Sequence, residues 1–324
     1  MSTLSATRAP AKRPPSPLRL QSLKGVRLLS LALNLPGPAA LMRCQAMGAR
    51  CRKIEPPASP GSDSGDPMHD YCPPAYSALH HGVRVSVADL KTPTGQRALH
   101  RALATTDVLL TSFRPAALHK LGLSWATLQA RYPRLNQVAI IGAPGARANE
   151  AGHDLTYLAE RGLVTGLDLP ATLYADMGGS WMVSEAILQA VLIQKFHPDV
   201  PGSFQEIALS DAAGYLALPR TWGLTQPGPR SAVGGAHAGY QVYPCADGRV
   251  AVAALEPHFA AALCRVAGVP MVGETRASAV TELMFNPSVH RAIGAFFQQQ
   301  SCQHLIALAL QHDLPLYSLP SAAG

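Results

Sequence analysis

The chain has 324 residues, of which 48% are apolar and 15% are charged, and its formal net charge at pH 7 is +7. This length and apolar content predict a globular protein with a substantial core, divided into one large or two smaller domains. No run approaches the roughly 18 apolar residues of a membrane span, and no basic stripe carries the interleaved aromatics of a nucleic-acid surface. We therefore expect neither a membrane nor a nucleic-acid partner, and the positive charge favours a small anionic ligand.

The first 22 residues are rich in Arg, Ser and Pro and contain no acidic residue. Their composition is that of a transit peptide, but four prolines between positions 10 and 17 would interrupt an amphipathic helix. We therefore predict a disordered basic tail over residues 1–22.

The six cysteines are scattered through apolar stretches, without a CxxC spacing or a matching histidine pair. This pattern argues against a zinc site and predicts no bound metal. Free, mostly buried thiols are typical of a reducing compartment, so we expect a cytoplasmic protein.

From Leu23 onward, strand-like runs alternate with helical segments. Such alternation predicts a parallel, Rossmann-like sheet in a large domain over residues 23–208. The predicted strands are "GVRLLSLAL", "RCRKIEP", "VRVSVADL", "DVLLTS" and "NQVAIIGAP", and the predicted helices include "PGPAALMRCQAMGA", "PTGQRALHRALAT" and "SWATLQARY". The chain contains neither GxGxxG nor GxxxxGK[ST], so the sheet carries no signature of a nicotinamide or nucleoside triphosphate site.

A long helix is predicted over "GGSWMVSEAILQAVLIQKF", and the pattern changes after it. The segment "GYQVYPCADGRVAVAAL" indicates two strands joined in a hairpin through Ala246-Asp247-Gly248. Residues 209–305 are therefore expected to form a linker and a small α+β domain. The final "DLPLYSL" is interpreted as a strand, and residues 306–324 are expected to return to the large domain.

Four titratable residues stand in apolar or small surroundings: His153, Asp154, Asp176 and Glu256. His153 and Asp154 lie together in "EAGHDLTYLAERG", Asp176 in "LYADMGGSW" directly before the long helix, and Glu256 after the strand "VAVAALE". Each has a structural explanation, as a helix cap, a strand end or a hydrogen-bonded histidine. Their joint occurrence at strand ends and helix starts favours a ligand site, since open α/β sheets bind ligands there.

These segments occur in an order that resembles the family III CoA-transferases, a superfamily that includes the α-methylacyl-CoA racemases. The resemblance covers roughly residues 23–260. The most diagnostic segments are "FRPAALHKLGL" and "GHDLTYLAERGLV", accompanied by "ADMGGSW", "GSFQEIALSDA" and "YPCADGRVAVAALEPHF". The resemblance implies a Rossmann-like large domain, a smaller α+β domain and an interlocked homodimer.

The resemblance also implies roles for individual residues. In the racemase branch His153 and Asp176 match the two acid/base residues, and Glu256 matches the glutamate that orients the histidine. In the transferase branch Asp154 matches the nucleophile. Basic residues of the family that hold CoA phosphates correspond here to Lys53, Arg114 and Lys120.

These roles predict an enzyme that moves a proton at the α-carbon of an acyl-CoA, with no permanent cofactor and with CoA as part of the substrate. Two bases on opposite faces of the carbon suit this chemistry, and a helix N-terminus can hold the enolate oxygen. The alternative is CoA transfer to a carboxylic acid through an aspartyl-CoA intermediate. Transferases of the family often carry a glycine-rich loop that shields the intermediate from water, and here only the short "VGGAHAGY" is found. Its shortness, together with His153, Asp176 and Glu256, favours racemisation over transfer.

Three departures from the family pattern leave a third interpretation open, an inactive CoA-binding dimer. Alanine follows "FRP" where glycine is usual, "LHHGVRVSVADL" lacks the usual "NRGKRS", and little sequence follows "DLPLYSL".

Overall fold

The computed structural model describes residues 20–271 and 276–319. Almost all of the predicted tail over 1–22 therefore lies outside the described residues. The chain divides into two compact units, Met1–Leu216 and Ala217–Gly324. The first unit extends past the expected boundary at residue 208, because helix α9 (Leu209–Leu216) packs against other helices of that unit.

The first unit is built on a sheet of six parallel strands in the order β3-β2-β1-β4-β5-β6. The predicted parallel sheet is thus confirmed, and β6 is a strand that we did not predict. The order reverses between β1 and β4, which is where doubly wound sheets form a crevice. The strands are β1 (Arg27–Ser30), β2 (Arg50–Glu55), β3 (Arg84–Val87), β4 (Val108–Thr111), β5 (Asn136–Ile141) and β6 (Phe204–Ala208).

Helices connect these strands, and many begin with proline, which suits a first turn that lacks hydrogen-bond partners for its N–H groups. The helices are α1 (Pro36–Ala46), α2 (Pro67–Tyr71), α3 (Pro73–Leu79), α4 (Pro93–Leu103), α5 (Pro115–Lys120), α6 (Trp125–Arg131), α7 (Asp154–Glu160), α8 (Tyr174–Phe196) and α9. A short 3₁₀ helix covers Gly145–Asn149.

Both faces of the central strands β1, β4 and β5 are buried, as expected for parallel strands with crossover helices. On β1, Leu28 packs into one cluster together with Val138 and Ile187, and its neighbour Leu29 packs into a second cluster together with Leu99. Because side chains alternate along a strand, the core fixes the register of the sheet. It therefore also fixes where the loops at the carboxyl ends of the strands emerge.

The second unit contains a three-stranded antiparallel sheet, β7 (Tyr240–Cys245), β8 (Gly248–Ala253) and β9 (Leu316–Ser318). The predicted hairpin is confirmed, with Cys245 opposite Gly248 across a two-residue turn. The helices of the unit are α10 (Leu218–Thr221), α11 (Pro257–Val266), α12 (Ala277–Leu283), α13 (Pro287–Gln298) and α14 (Cys302–His312). Ala232–Ala236 form a turn that is kinked at Gly235, where φ is 105°.

Strand β9 lies in the second unit, so the expectation that residues 306–324 return to the large domain is wrong for the part that the structure describes, 306–319. Leu316 pairs with Val252 of β8, and Leu314 is buried in the core of the second unit. Burial of these leucines beside β8 accounts for the pairing. No helix among the described residues is long and apolar enough to cross a membrane.

Candidate active site

A cleft of about 650 Å³ opens in the first unit at the carboxyl ends of β1, β4 and β5. Its walls include Asn34 after β1, Arg114 after β4 and Gly142 after β5. The loops after β1 and β4 are joined, since Leu33 N donates to Ser112 Oγ at 3.2 Å. The cleft thus lies at the reversal point of the strand order, the usual ligand site of such sheets.

Three of the four predicted catalytic residues line this cleft: His153, Asp154 and Asp176. The structure therefore brings together the acid/base pair implied by the racemases and the nucleophile implied by the transferases. Glu256 lies in the second unit, where it is exposed and precedes α11.

His153 is exposed to the cleft and immediately precedes α7. Its backbone is fixed by Thr156, whose Oγ1 accepts from His153 N at 3.1 Å and donates to His153 O at 2.7 Å. Packing against Tyr157 explains why position 152 is a glycine, because a Cβ at this position would lie 2.4 Å from Tyr157 Oη. Glycine thus permits the close turn that presents the imidazole to the cleft.

Asp154 is the first residue of α7, as the helix-start interpretation predicted, and it is only 5% exposed. Its Oδ1 accepts a hydrogen bond from the backbone N–H of Asp176 at 2.9 Å. The carboxylate thus satisfies one of the free N–H groups at the start of the 23-residue helix α8, where the helix dipole favours a negative charge.

Asp176 lies in the first turn of α8, not before the helix as the sequence indicated. It is partly buried. Burial, and secondarily the negative charge of Asp154, raises the pKa of Asp176 to about 7. Both of its protonation states are therefore populated near neutral pH, which is the condition for an efficient general acid or base.

Tyr157 is a cleft residue that we did not predict. It is 6% exposed, and its pKa is raised by burial first and by Asp176 second. A signal was present in the sequence, because Tyr157 follows Asp154 by three residues within α7 and so lies on the same face of that helix.

The three predicted phosphate contacts occupy different environments. Arg114 is exposed, precedes α5 and lines the cleft. Lys120 is exposed at the end of α5 but does not line the cleft.

The predicted contact of Lys53 with a CoA phosphate is not supported by the structure. Its side chain is fully buried, with Nζ 3.0 Å from Glu55 Oε1 and in direct contact with Asp66. His80 Nε2 lies 2.9 Å from the same ammonium, and the pKa of His80 is lowered by burial and then by Lys53. Two carboxylates and a neutral imidazole therefore enclose the charge. Lys53 therefore belongs to a buried structural network, and its ammonium is not accessible to a phosphate.

The ammonium of Lys53 also explains a group of potential metal ligands. Glu55, Asp66 and His80 have ligand atoms within 4.8 Å of one another, but Lys53 Nζ contacts all three. A cation is therefore already present among them. The network also supports the cleft wall, since Asp66 Oδ1 accepts from Asn34 N at 3.0 Å.

The family described as CoA-transferase family III matches residues 23–323. The succinate–glutarate CoA-transferase of Agrobacterium fabrum is 29% identical over 80% of this chain and 69% of its own length. The human α-methylacyl-CoA racemase is 31% identical over 74% of this chain, and the matched part spans 63% of the racemase.

Solved structures agree on the fold. A hypothetical protein from Mycobacterium tuberculosis superposes with a TM-score of 0.75 at 22% identity, over 93% of this chain and 84% of that one. A CAIB/BAIF family protein from Brucella suis gives a TM-score of 0.73 at 21% identity, over 93% and 84%. At such identities these likenesses establish the shared fold alone.

Proposed function

Since the chain belongs to CoA-transferase family III, whose relatives include both CoA-transferases and acyl-CoA racemases, we propose that it is a racemase-type enzyme. In this proposal it removes and returns a proton at the α-carbon of an acyl-CoA thioester. The substrate supplies the CoA, and no permanent cofactor takes part.

One observation carries the choice of proton transfer: Asp176, with its pKa raised to about 7, shares a cleft with the exposed His153. The proposed reaction needs two groups that each accept and release a proton near the working pH. A neutral imidazole accepts the α-proton on one face while a carboxylic acid delivers a proton on the other. In the reverse direction the carboxylate accepts and the imidazolium delivers.

Asp154 has a supporting task in this proposal. It fixes the first turn of α8 through the N–H of Asp176, and its charge disfavours ionisation of the neighbouring carboxyl. Arg114 stands exposed at the cleft and is our candidate for binding a CoA phosphate, because a guanidinium pairs with phosphate bidentately.

Two further parts of the proposal rest on the family resemblance. Glu256 would orient the imidazole of His153. The protein would form a homodimer, and exposed apolar side chains on α8 support an interface there, since large apolar patches on a surface mark contact sites. These side chains are Trp181, Leu192, Ile193 and Phe196.

CoA transfer is the second candidate, supported by the A. fabrum relative and by the presence of Asp154 in the cleft. In that reaction a carboxylate attacks the thioester and later carries CoA as an aspartyl thioester. The 5% exposure of Asp154 and its hydrogen bond to α8 make it a less accessible nucleophile, so we place this reaction second.

The experiment incubates the wild-type protein and Asp154→Asn with a 2-methylacyl-CoA in deuterated water and follows the α-proton by NMR. A parallel sample contains hydroxylamine, which traps an aspartyl thioester as a hydroxamate. Exchange without an adduct, retained in Asp154→Asn, is the expected result. An adduct on Asp154 would replace racemisation with CoA transfer, and CoA binding with neither reaction would indicate an inactive binding protein.

A further inference from the structure

Two cysteines from distant parts of the chain meet in the second unit. Cys245 ends β7 and Cys302 begins α14, and their Sγ atoms are 3.0 Å apart although 57 positions separate them. Both side chains are half-buried against the core of the unit.

The backbone around the two thiols holds them in this position. Ala246 N donates to Gln300 O at 2.9 Å, and Cys302 N donates to Asp247 Oδ1 at 2.6 Å. Both bonds join the hairpin turn to the start of α14. Gly248 leaves the space that Cys302 needs, because a Cβ there would lie 3.1 Å from its Sγ. The backbone contacts between the hairpin turn and the start of α14 therefore keep the two sulfurs close together.

The separation of the sulfurs is compatible with a bond between them. A disulfide bond is about 2.05 Å long, so sulfurs at 3.0 Å need to approach by only about 1 Å. A structural zinc site takes four ligands, and among the described residues only one further potential ligand lies beside the two thiols. Asp247, the third potential ligand, already accepts a hydrogen bond from Cys302 N.

We infer that Cys245 and Cys302 form a reversible disulfide through exchange with a low-molecular-weight disulfide. One of the two cysteines loses its proton to solvent, attacks the incoming disulfide as a thiolate, forms a mixed disulfide and releases one small thiolate. The 3.0 Å separation places the second cysteine next to this mixed disulfide. The second cysteine loses its proton in turn and attacks the protein sulfur of the mixed disulfide, which releases the second small thiolate.

The exchange balances: two protein thiols are oxidised to one disulfide while one small disulfide is reduced to two thiols. The bond closes a loop that contains α11, α12 and α13 and ties the hairpin to α14. Closing so long a loop restricts the unfolded chain. We expect the oxidised protein to unfold at a temperature higher by on the order of 5 °C.

The test uses the full-length protein, reduced and then equilibrated with an excess of glutathione disulfide. Thiols are counted under denaturing conditions with a chromogenic reagent, and bridged peptides are identified by mass spectrometry. The wild type should fall from its six thiols to four, with a Cys245–Cys302 peptide and a raised unfolding temperature. Cys245→Ser and Cys302→Ser should form no internal bridge and show no such rise.

Cys72→Ser is the matched control, because Cys72 is also half-buried but lies in the first unit. It should fall from five thiols to three and keep the temperature rise. Retention of all six thiols in the wild type, or a bridge between other cysteines, would overturn the inference. So would one equivalent of Zn²⁺ that protects both thiols until a chelator is added, since that result would make the pair a metal site.

Discussion

Asp154 and Asp176, separated by 22 positions in the sequence, are joined by a 2.9 Å hydrogen bond from the backbone N–H of Asp176 to Asp154 Oδ1. The bond connects the first turns of α7 and α8 beneath the cleft. It places a buried negative charge next to the carboxyl group of Asp176, and burial first and this charge second raise the pKa of Asp176 to about 7. Burial and this one contact set the protonation of the proposed acid.

The raised pKa of Asp176 predicts a pH-dependent stability. The folded-state pKa of about 7 exceeds the unfolded value of 3.8, so the folded state binds the proton more tightly. This contribution is complete below about pH 4 and is lost as pH rises through 7. It amounts to at most on the order of 4 kcal/mol. Asp176→Asn cannot ionise, so its stability relative to wild type should increase from pH 5 to pH 8 in urea denaturation.

Asp168→Asn provides the control for this pH effect, since Asp168 is exposed in a loop. Its stability difference from wild type should be the same at both pH values. A constant difference for Asp176→Asn would contradict the raised pKa.

Removal of the buried ammonium of Lys53 should strongly destabilise the first unit. Lys53→Met leaves Glu55 and Asp66 as buried carboxylates without their cation, at a cost of about 3–5 kcal/mol. Lys120→Met, at an exposed position, should change the free energy of unfolding by less than about 0.5 kcal/mol. Equal effects in urea denaturation would show that Lys53 is not enclosed as described.

Removal of the Tyr157 hydroxyl should affect the stability of alanine variants at the two neighbouring glycines, Gly142 and Gly152, to different extents. A Cβ at Gly142 would lie 2.2 Å from Oη but 3.2 Å from the next ring atom, whereas one at Gly152 would also lie 2.7 Å from Cε1 and Cζ. Each alanine variant should lose about 1–3 kcal/mol of stability. Tyr157→Phe should restore most of that loss for Gly142→Ala and little for Gly152→Ala.

A double-mutant cycle measures this difference, because only a direct contact produces a large interaction energy. Equal rescue of the two alanine variants would mean that the hydroxyl alone limits both sites.

CoA binding should depend on Arg114 more than on Lys120. Arg114 lines the cleft and Lys120 does not, and a charge-assisted contact with phosphate contributes about 1.5–3 kcal/mol. Arg114→Ala should therefore weaken the affinity for CoA about 10- to 100-fold in calorimetry, and the wild-type affinity should fall as salt rises. Unchanged affinity in Arg114→Ala would refute this assignment.

Local patterns predicted most of the first unit. Alternating apolar strands and proline-started helices indicated the parallel sheet. The strand order was not predicted, and the structure shows that "GHD" and "ADMGG" contribute to one cleft. The sequence predicts too late a start for α8, because Asp176 is of the residue type that caps a helix. In the structure Asp176 lies inside the first turn, and Asp154, 22 positions earlier, supplies the acceptor for its N–H.

The environment of Lys53 and the partner of β9 could not be predicted, because both depend on contacts between residues far apart in the sequence. Lys53 sits on a strand with basic neighbours, and nothing local indicates that Asp66 and His80 enclose it. The three-residue strand β9 is too short to indicate its own partner, and its pairing with β8 follows from burial of Leu314 and Leu316 in the second core.

The most direct test of the two-base account follows deuterium into each enantiomer of a 2-methylacyl-CoA separately, for wild type, His153→Ala and Asp176→Ala. Each variant keeps one base, which removes and returns a proton only on its own face. We predict that each variant incorporates deuterium into one enantiomer without inversion, that the two variants act on opposite enantiomers, and that only the wild type inverts both. Inversion in either variant, or exchange of the same enantiomer by both, would contradict the assignment of His153 and Asp176 as the two bases.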